Sequence, residues 1–293
     1  MTLNSALTSE QIKKAVAAVK ENKPVYADML DFYGRIFDAQ QDSKNRIRIQ
    51  PLQITAEMLA VKAQEKFPLI EIKEFTFDET QAGNLFVTIC KLAKKANPQM
   101  AAAAEIILKA VETTLKPNAL FAGLLDGNEA LFENVAEEFK IDKQVLGFIT
   151  YNSLKPCLAL AAEQLASYLN KDEPWQKGYC PICGSAPILS ILAGEGDRSL
   201  VCSFCWHQWP VKRVFCPFCE NRDGQSLQYF FSDEEKEFRV DTCDKCKKYL
   251  KTLDTRKAGR LIYPPLEQLS SLHLDYKAKE MGYESGIRLF VQV

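Results

Sequence analysis

The chain has 293 residues, of which 47% are hydrophobic and 26% are charged. This is the composition of a globular protein of about two domains, and it excludes intrinsic disorder, collagen-like repeats and low-complexity architecture. The 37 basic and 38 acidic side chains give a formal net charge of −1, so no overall basic field draws the chain to nucleic acid or to an anionic membrane.

Residues 1–172 are predicted to form an all-α domain. Thr8 and Gln11 have the spacing of a capping box at the start of a first helix. Apolar side chains recur at helical spacing in five further segments, 25–37, 78–92, 100–115, 131–139 and 145–169. Pro156 lies inside the last of these segments, and we expect a kink or a break there because proline lacks an N–H.

The second half begins after a polar stretch at residues 171–179 and has a different pattern. Short alternating runs predict one β-hairpin between residues 186 and 202 and another between residues 227 and 240. Residues 264–282 return to helical spacing. The predicted fold is therefore an all-α domain followed by two small rubredoxin-like or zinc-ribbon modules and a short C-terminal helix. The corresponding boundaries are 1–172, 173–210, 211–262 and 263–293.

Cysteine is the unusual feature of the composition. Eight of the ten cysteines form four C-x-x-C pairs, at Cys180/Cys183, Cys202/Cys205, Cys216/Cys219 and Cys243/Cys246. The gaps between successive pairs are 18, 10 and 23 residues, and each of the two longer gaps contains one predicted hairpin. Two residues between cysteines let both sulfurs of a tight turn face one ion, and a hairpin returns the second pair to complete a tetrahedron.

The spacing therefore predicts two independent four-cysteine metal sites. Pairing within each half closes shorter loops than an interleaved scheme and costs less chain entropy. The first site is Cys180, Cys183, Cys202 and Cys205, and the second is Cys216, Cys219, Cys243 and Cys246. Four thiolates suit zinc or a single iron, so the sequence leaves the choice between these two metals open.

Several other interpretations compete at these positions. A C-x-x-C pair can be a catalytic dithiol, and His207 could replace a thiolate of the first site. Cys90 and Cys157 lie on apolar helical faces and are interpreted as small buried hydrophobic residues. A local basic patch, formed by Lys245, Lys247, Lys248 and Lys251, is compatible with nucleic acid. However, the segment from residue 176 onward carries 17 basic and 15 acidic side chains, which argues against that reading.

No basic segment precedes an apolar stretch at the beginning of the chain, and no apolar run reaches the roughly 18 residues of a membrane span. We therefore expect no secretory signal, no membrane span and a cytoplasmic location. Thiols stay reduced in the cytoplasm, which favours metal sites over disulfides.

The second half resembles the formate dehydrogenase accessory proteins of the FdhE type. The resemblance lies in several linked motifs between residues 178 and 283. They are CPICGSAP at 180–187, LVCSFC at 200–205 with Trp209 and Arg213, CPFC at 216–219, LQYF at 227–230, TCDKCKKYLK at 242–251, LSSLHLD at 269–275 and Gly282-Tyr283.

This resemblance implies a maturation factor rather than an enzyme. Proteins of this family are thought to bind the catalytic subunit of formate dehydrogenase during its assembly. Their cysteine pairs carry rubredoxin-like metal, which here would be two tetrathiolate ions held by the eight paired cysteines. Four aromatic side chains beside the paired cysteines, Trp206, Trp209, Phe218 and Tyr249, are candidate anchors for that partner. The alternatives are a zinc-ribbon protein that binds nucleic acid and a thiol-redox factor that acts on a metalloenzyme.

Overall fold

The computed structural model describes residues 7–170, 172–232 and 235–287. The α-helices are α1 (Ser9–Asn22), α2 (Ala27–Lys44), α3 (Ala56–Glu65), α4 (Glu79–Ala93), α5 (Pro98–Val111), α6 (Pro117–Leu125), α7 (Glu129–Phe139), α8 (Lys143–Leu165), α9 (Thr255–Ala258), α10 (Pro264–Ser270) and α11 (Leu272–Glu280). The strands are β1 (Pro187–Ala193), β2 (Asp197–Cys202), β3 (Gln208–Val211), β4 (Leu227–Phe230), β5 (Phe238–Cys243), β6 (Lys248–Asp254) and β7 (Glu284–Ser285). The structure thus combines a helical N-terminal part with a small mixed sheet in the C-terminal part.

Contacts in space divide the chain into two compact units. The helical unit takes residues 24–52 and 71–164 and contains α2 and α4 to α8. The sheet unit takes the described parts of residues 1–23, 53–70 and 165–288, so it includes α1 and α3 as well as every strand. The four-part division by sequence position stays a prediction.

In the helical unit, polar side chains begin several helices and apolar faces form the core. Asp78 caps α4 by accepting the N–H of Gln81, as its position before the apolar run predicts. The centre of the core is α8, whose Leu146, Ile149 and Leu154 are fully buried. Together with the short 3₁₀ turn that follows it, α8 is long and apolar enough to cross a membrane, but 89% of its most apolar window is buried inside the protein, as in a core helix.

The break predicted at Pro156 does not occur, since α8 continues through this residue to Leu165. Proline has no N–H to give to the carbonyl of Asn152 four residues earlier. The side chain of Gln40 on α2 replaces that donor, because its Nε2 lies 2.8 Å from the Asn152 carbonyl oxygen. Gln40 is itself only 4% exposed, so its side chain supplies from another helix the donor that a buried carbonyl cannot obtain within α8.

Replacing Gln40 by methionine should therefore destabilise the protein. Gln40→Met keeps the side-chain length but leaves the Asn152 carbonyl unpaired, at a cost of about 1–3 kcal/mol. In a Pro156→Ala background the restored N–H should recover part of that loss, so a double-mutant cycle in urea should show coupling. The same change at the neighbouring Gln41 is the control, and equal effects of both changes in both backgrounds would contradict the assignment.

A lysine is buried in the same helix one residue before the proline. Lys155 is 7% exposed, and its ammonium group lies 5.8 Å from the centre of the Phe37 ring. Burial lowers the pKa of Lys155 to about 7, because the low-dielectric interior disfavours the charged form. The unfolded chain keeps this proton until the ordinary lysine pKa, so above about pH 7 it binds more protons than the folded protein.

The free energy of unfolding should therefore rise with pH above about pH 7, because folded Lys155 loses its proton there and unfolded Lys155 does not. Relative to a Lys155→Met variant, the wild type should gain roughly 2 kcal/mol of unfolding free energy between about pH 7 and about pH 8.5. Urea unfolding of both proteins at the two pH values measures the difference, in which the effects of other titrating groups cancel. A difference that does not change with pH would show that Lys155 titrates normally.

In the sheet unit, α1 begins with the capping box that the sequence predicts. The Thr8 side chain accepts the N–H of Gln11, and the Gln11 side chain accepts the N–H of Thr8 at 2.9 Å. The first backbone N–H groups of a helix have no intrahelical acceptors, so this reciprocal pair of hydrogen bonds fixes where α1 starts.

The strands form one sheet in the order β3-β2-β1-β6-β5-β4, and β7 pairs with β6 beside this path. Both predicted hairpins are present, with β1 antiparallel to β2 and β4 antiparallel to β5. The first cysteine module contributes β1 to β3 and the second contributes β4 to β6. Within each module the last strand in the sequence comes first in the sheet order and the first strand comes last. The halves are joined by a parallel pairing of β1 with β6, in which Ser190 is opposite Thr252. The repeat seen in the cysteine spacing is thus also a repeat of strand order.

Strand β6 was not predicted, and its position corrects the interpretation of the basic patch. Lys251 lies in the middle of β6, is 2% exposed and donates from Nζ to Asp275 Oδ2 at 2.6 Å. Lys247 pairs with Asp244 at 2.7 Å. These four lysines near the last cysteine pair therefore do not form the single local basic patch that the sequence indicates.

The predicted C-terminal helix is present as two short helices, α10 and α11. They lie on one face of the sheet. On this face, Val240 of β5 and Leu253 of β6 pack in one cluster with Leu274 and Ala278 of α11, and Lys251 Nζ of β6 donates to the Gln268 carbonyl of α10 at 3.1 Å. The other face of these strands carries the cysteine side chains and is described below.

Candidate metal centres

Four tight turns of the same shape carry the paired cysteines. In each turn the residue after the second cysteine has positive φ, at Gly184 (75°), Trp206 (63°), Glu220 (57°) and Lys247 (55°). The N–H of Gly184, Glu220 and Lys247 donates to the carbonyl of the first cysteine of its own turn at 2.8–2.9 Å. Glycine adopts this left-handed conformation without a steric cost, whereas the other three residues adopt it at a cost of about 1–2 kcal/mol each. All four turns therefore share one backbone geometry, although only one of them has glycine at the position with positive φ.

The first cluster consists of Cys180, Cys183, Cys202 and Cys205. The Sγ–Sγ distances are 3.7 Å for Cys180–Cys205, 3.6 Å for Cys183–Cys202 and 3.7 Å for Cys183–Cys205. All four side chains are buried, with exposed fractions of 0–5%. The backbone N–H groups of Phe204 and Cys205 also donate to Cys202 Sγ, at 3.3 and 3.4 Å.

The second cluster consists of Cys216, Cys219, Cys243 and Cys246. Its Sγ–Sγ distances are 3.7 Å for both Cys216–Cys246 and Cys219–Cys243. Cys216 and Cys243 are buried, whereas Cys219 and Cys246 are partly exposed. The two clusters therefore share their spacing but differ in their access to solvent.

The distances fit a tetrathiolate ion. A metal that binds four sulfurs at about 2.3 Å places them about 3.8 Å apart along the edges of a tetrahedron. In each cluster all four Sγ atoms lie within 4.8 Å of one another, and no histidine or carboxylate belongs to either group within the described residues. Both clusters could therefore hold a metal ion, and four sulfur donors accept either zinc or iron.

The electrostatics of the clusters favour a bound cation. Burial raises the pKa of Cys180 and of Cys205, while hydrogen bonds from its three neighbours lower the pKa of Cys183. In the second cluster burial raises the pKa of Cys243, but hydrogen bonds that include the Cys246 N–H and the Asn221 side chain outweigh it, and the pKa falls to about 7. Each cluster thus supports one thiolate readily, and a divalent ion would replace the protons of the others.

The remaining candidates from the sequence lie outside the clusters. Burial lowers the pKa of His207 to about 4, and the contact of this residue with the first cluster is its carbonyl oxygen, which accepts the Cys202 N–H at 2.9 Å. Burial raises the pKa of Cys90 to about 12 and that of Cys157 to about 11, and both side chains are completely buried. Neutral and inaccessible, these two thiols are packing groups, as the sequence indicates.

The four aromatic candidates lie close to the cysteine turns. Trp209 is 1% exposed and donates its ring N–H to the Lys177 carbonyl at 3.0 Å, and Tyr249 is 6% exposed and donates its hydroxyl to Asp275 at 2.9 Å. Trp206 and Phe218 are half-buried. Their role as anchors for a partner stays a prediction.

One residue that positions the second cluster has no motif in the sequence. Arg198 on β2 is 5% exposed, and its guanidinium donates to the Phe215 carbonyl at 2.7 Å and to Asp241 at 3.3 Å. It therefore ties the loop before Cys216 to β5 of the second half. Only the strand pairing brings these groups together, so the spacing of the sequence gives no signal for this role.

Elemental analysis of protein prepared without oxygen should find about two metal ions per chain. A chelator should remove the ion of the second cluster first, because Cys219 and Cys246 are partly exposed while the first cluster is buried. Mass spectrometry of cysteines alkylated during chelation measures the order, with Cys90 and Cys157 as buried internal controls. Simultaneous labelling of both clusters, or earlier labelling of the first, would refute the difference in access.

Comparison with known proteins agrees with this architecture. Residues 179–213 match the FdhE central domain, and residues 214–290 match the FdhE C-terminal domain. "Protein FdhE" of Escherichia coli (strain K12) is 30% identical over 277 residues, which are 92% of this chain and 84% of that protein. The chain belongs to the FdhE family.

Other FdhE proteins extend the comparison. A "Protein FdhE homolog" of Aquifex aeolicus is 37% identical over 155 residues, which span 52% of this chain and 53% of that protein. A Haemophilus influenzae homologue is 26% identical over 283 residues, or 95% of this chain. The crystal structure of the FdhE protein from Pseudomonas aeruginosa superposes with a TM-score of 0.69 at 19% identity, covering 98% of this chain and 97% of that one. The fold of that protein therefore extends over 98% of this chain.

Proposed function

We propose that this protein is an assembly factor that binds the catalytic subunit of formate dehydrogenase during its maturation. The eight paired cysteines hold two tetrathiolate ions, iron or zinc, and the protein acts in the cytoplasm by stoichiometric binding rather than by catalysis. The observation that carries the proposal is the presence of two four-sulfur clusters on one sheet in a chain of the FdhE family.

The structure supports a binding role for the cysteine module in physical terms. Each ion would cross-link two tight turns and would fix the loops on either side of them. Loops that are already rigid lose little conformational entropy when they bind a partner. Half-buried aromatic groups at those turns, such as Trp206 and Phe218, can then contribute apolar contact area at low ordering cost.

The two alternative functions receive less support. A zinc-ribbon protein that binds nucleic acid needs a basic face, but the buried Lys251–Asp275 pair and the Lys247–Asp244 pair divide the lysines of the second half. A thiol-redox factor needs an accessible reactive dithiol. The first cluster is buried, and the partly exposed Cys219 and Cys246 of the second cluster belong to a four-sulfur group rather than to a separate pair.

Substituting serine for one cysteine of either cluster should weaken the complex with the catalytic subunit. Cys180→Ser and Cys243→Ser each remove one ligand, so the ion and the order of its turns are lost together. Pull-down of the catalytic subunit and formate dehydrogenase activity in a complemented deletion strain measure the effect. Cys90→Ala is the matched control, since it removes a buried thiol outside both clusters.

Two results would contradict the proposal. One is full formate dehydrogenase activity in the deletion strain without complementation. The other is a Cys180→Ser protein that has lost its metal by elemental analysis but binds the catalytic subunit and complements as well as the wild type.

A further inference from the structure

A cleft of about 350 Å³ lies beside the second cluster, on the face of the sheet that α10 and α11 do not cover. Residues that are opposite each other in the register share a face. Val240 is opposite Phe230 and Lys251 on the covered face, whereas Asp241 is opposite Tyr229 and Leu250 on the face with the cleft. The loop that leads to Cys216 forms the second wall of the cleft.

The lining of the cleft is strongly cationic. It contains Arg198, Arg213, Arg239 and Lys248 but one carboxylate, Asp241. That carboxylate is already occupied, because Arg198 and Arg239 pair with it at 3.3 and 2.8 Å and the Thr252 hydroxyl donates to it at 2.7 Å.

Two of the cationic side chains that line the cleft are not paired with a carboxylate of the described residues. Within the described residues, the side chains of Arg213 and Lys248 form no ion pair, and the charged group of Lys248 lies 5.6 Å from the centre of the Phe218 ring. The cleft thus has an excess of positive charge beside apolar and aromatic surface, which suits an anionic group on an otherwise apolar ligand.

The sheet ends at this cleft in an unprotected edge. In the described part of the chain β4 pairs with β5 alone, so its other edge is free. At the opposite end of the sheet, β3 contains Pro210, which cannot donate a hydrogen bond and so blocks the addition of a strand. Strand β4 has no proline, and Tyr229 and Phe231 beside its edge are 58% and 56% exposed with their rings stacked at 6.3 Å.

We propose that the β4 edge and the cleft together bind an extended acidic segment of the partner protein. The main chain of the segment adds to β4 as a further strand, and an acidic side chain enters the cleft between Arg213 and Lys248. Edge addition supplies affinity through backbone hydrogen bonds, and the cleft supplies specificity for negative charge. This inference rests on the proposed function in naming a partner protein. Two cysteines of the second cluster, Cys216 and Cys243, also line the cleft, but the proposal assigns the recognition of the segment to the β4 edge, Arg213 and Lys248.

The direct test uses a fluorescein-labelled peptide of roughly eight residues in which valine and glutamate alternate, a length typical of a strand. Fluorescence anisotropy with the full-length, metal-loaded protein measures its binding. We expect binding that weakens as ionic strength rises, no binding of the same peptide with lysine in place of glutamate, and loss of binding when alternate backbone nitrogens are methylated. Equal binding of the lysine peptide, or undiminished binding of the methylated peptide, would overturn the proposal.

Matched variants locate the site. Arg213→Glu should weaken binding of the glutamate peptide by about 10-fold or more, because it places a negative charge at the mouth of the cleft. Lys212→Glu makes the same charge change at an exposed neighbour that does not line the cleft, and should change the affinity by less than about twofold. Lys248→Met should also weaken binding without inverting the charge. Equal affinities of the Arg213 and Lys212 variants would overturn the assignment.

Capture of the formate dehydrogenase catalytic subunit separates the two proposals. If the wild type captures the subunit and Arg213→Glu captures it equally well, the cleft is not the partner site and the proposed function stands. If the wild type fails to capture the subunit but binds the glutamate peptide as described, the proposed function fails and the cleft remains a site for acidic segments. Metal content of every variant, measured in parallel, shows whether the second cluster is intact.

Discussion

The structure of the sheet unit depends on the requirement to bring four thiol sulfurs within 4.8 Å of one another at two places. A buried four-sulfur group without a cation has an unfavourable free energy. Burial disfavours the thiolate form, whereas hydrogen bonds from neighbouring groups favour it. Tight turns with a left-handed residue satisfy the geometry four times, and three of the four accept a non-glycine residue there. A cation bound by four sulfurs would offset this cost, so metal binding and folding of the turns would be one event.

The pairing of β1 with β6 makes the two cysteine modules into a single sheet. This parallel ladder spans only three residue pairs, from Ser190–Thr252 to Leu192–Asp254. Arg198 reinforces it, because its buried guanidinium links β2 of the first half to β5 and to the loop of the second half. Loss of order in one module is thus expected to affect the other through the sheet, even though their ligands are separate.

The two halves of this repeat have diverged in their surroundings. The first cluster is enclosed, whereas the second has two partly exposed cysteines and lies beside a cationic cleft at an unprotected strand edge. A buried cluster is suited to holding the fold together. A partly exposed cluster whose turns border a cleft is suited to contact with another protein, since an ion that orders the turns would also order the surface beside them.

The sequence by itself determined the parts of this protein that depend on local spacing. These include the capping box at Thr8, the two hairpins, the partition of eight cysteines into two groups and the burial of Cys90 and Cys157. Spacing suffices there because turns, caps and hairpins are formed by residues close in the chain. Tertiary structure alone decided that β6 is a central strand with Lys251 buried against Asp275, that Gln40 carries α8 through Pro156, and that Arg198 meets the loop before Cys216. In each of these cases a polar group is satisfied by a partner far away in the sequence, and no local pattern records such a partner.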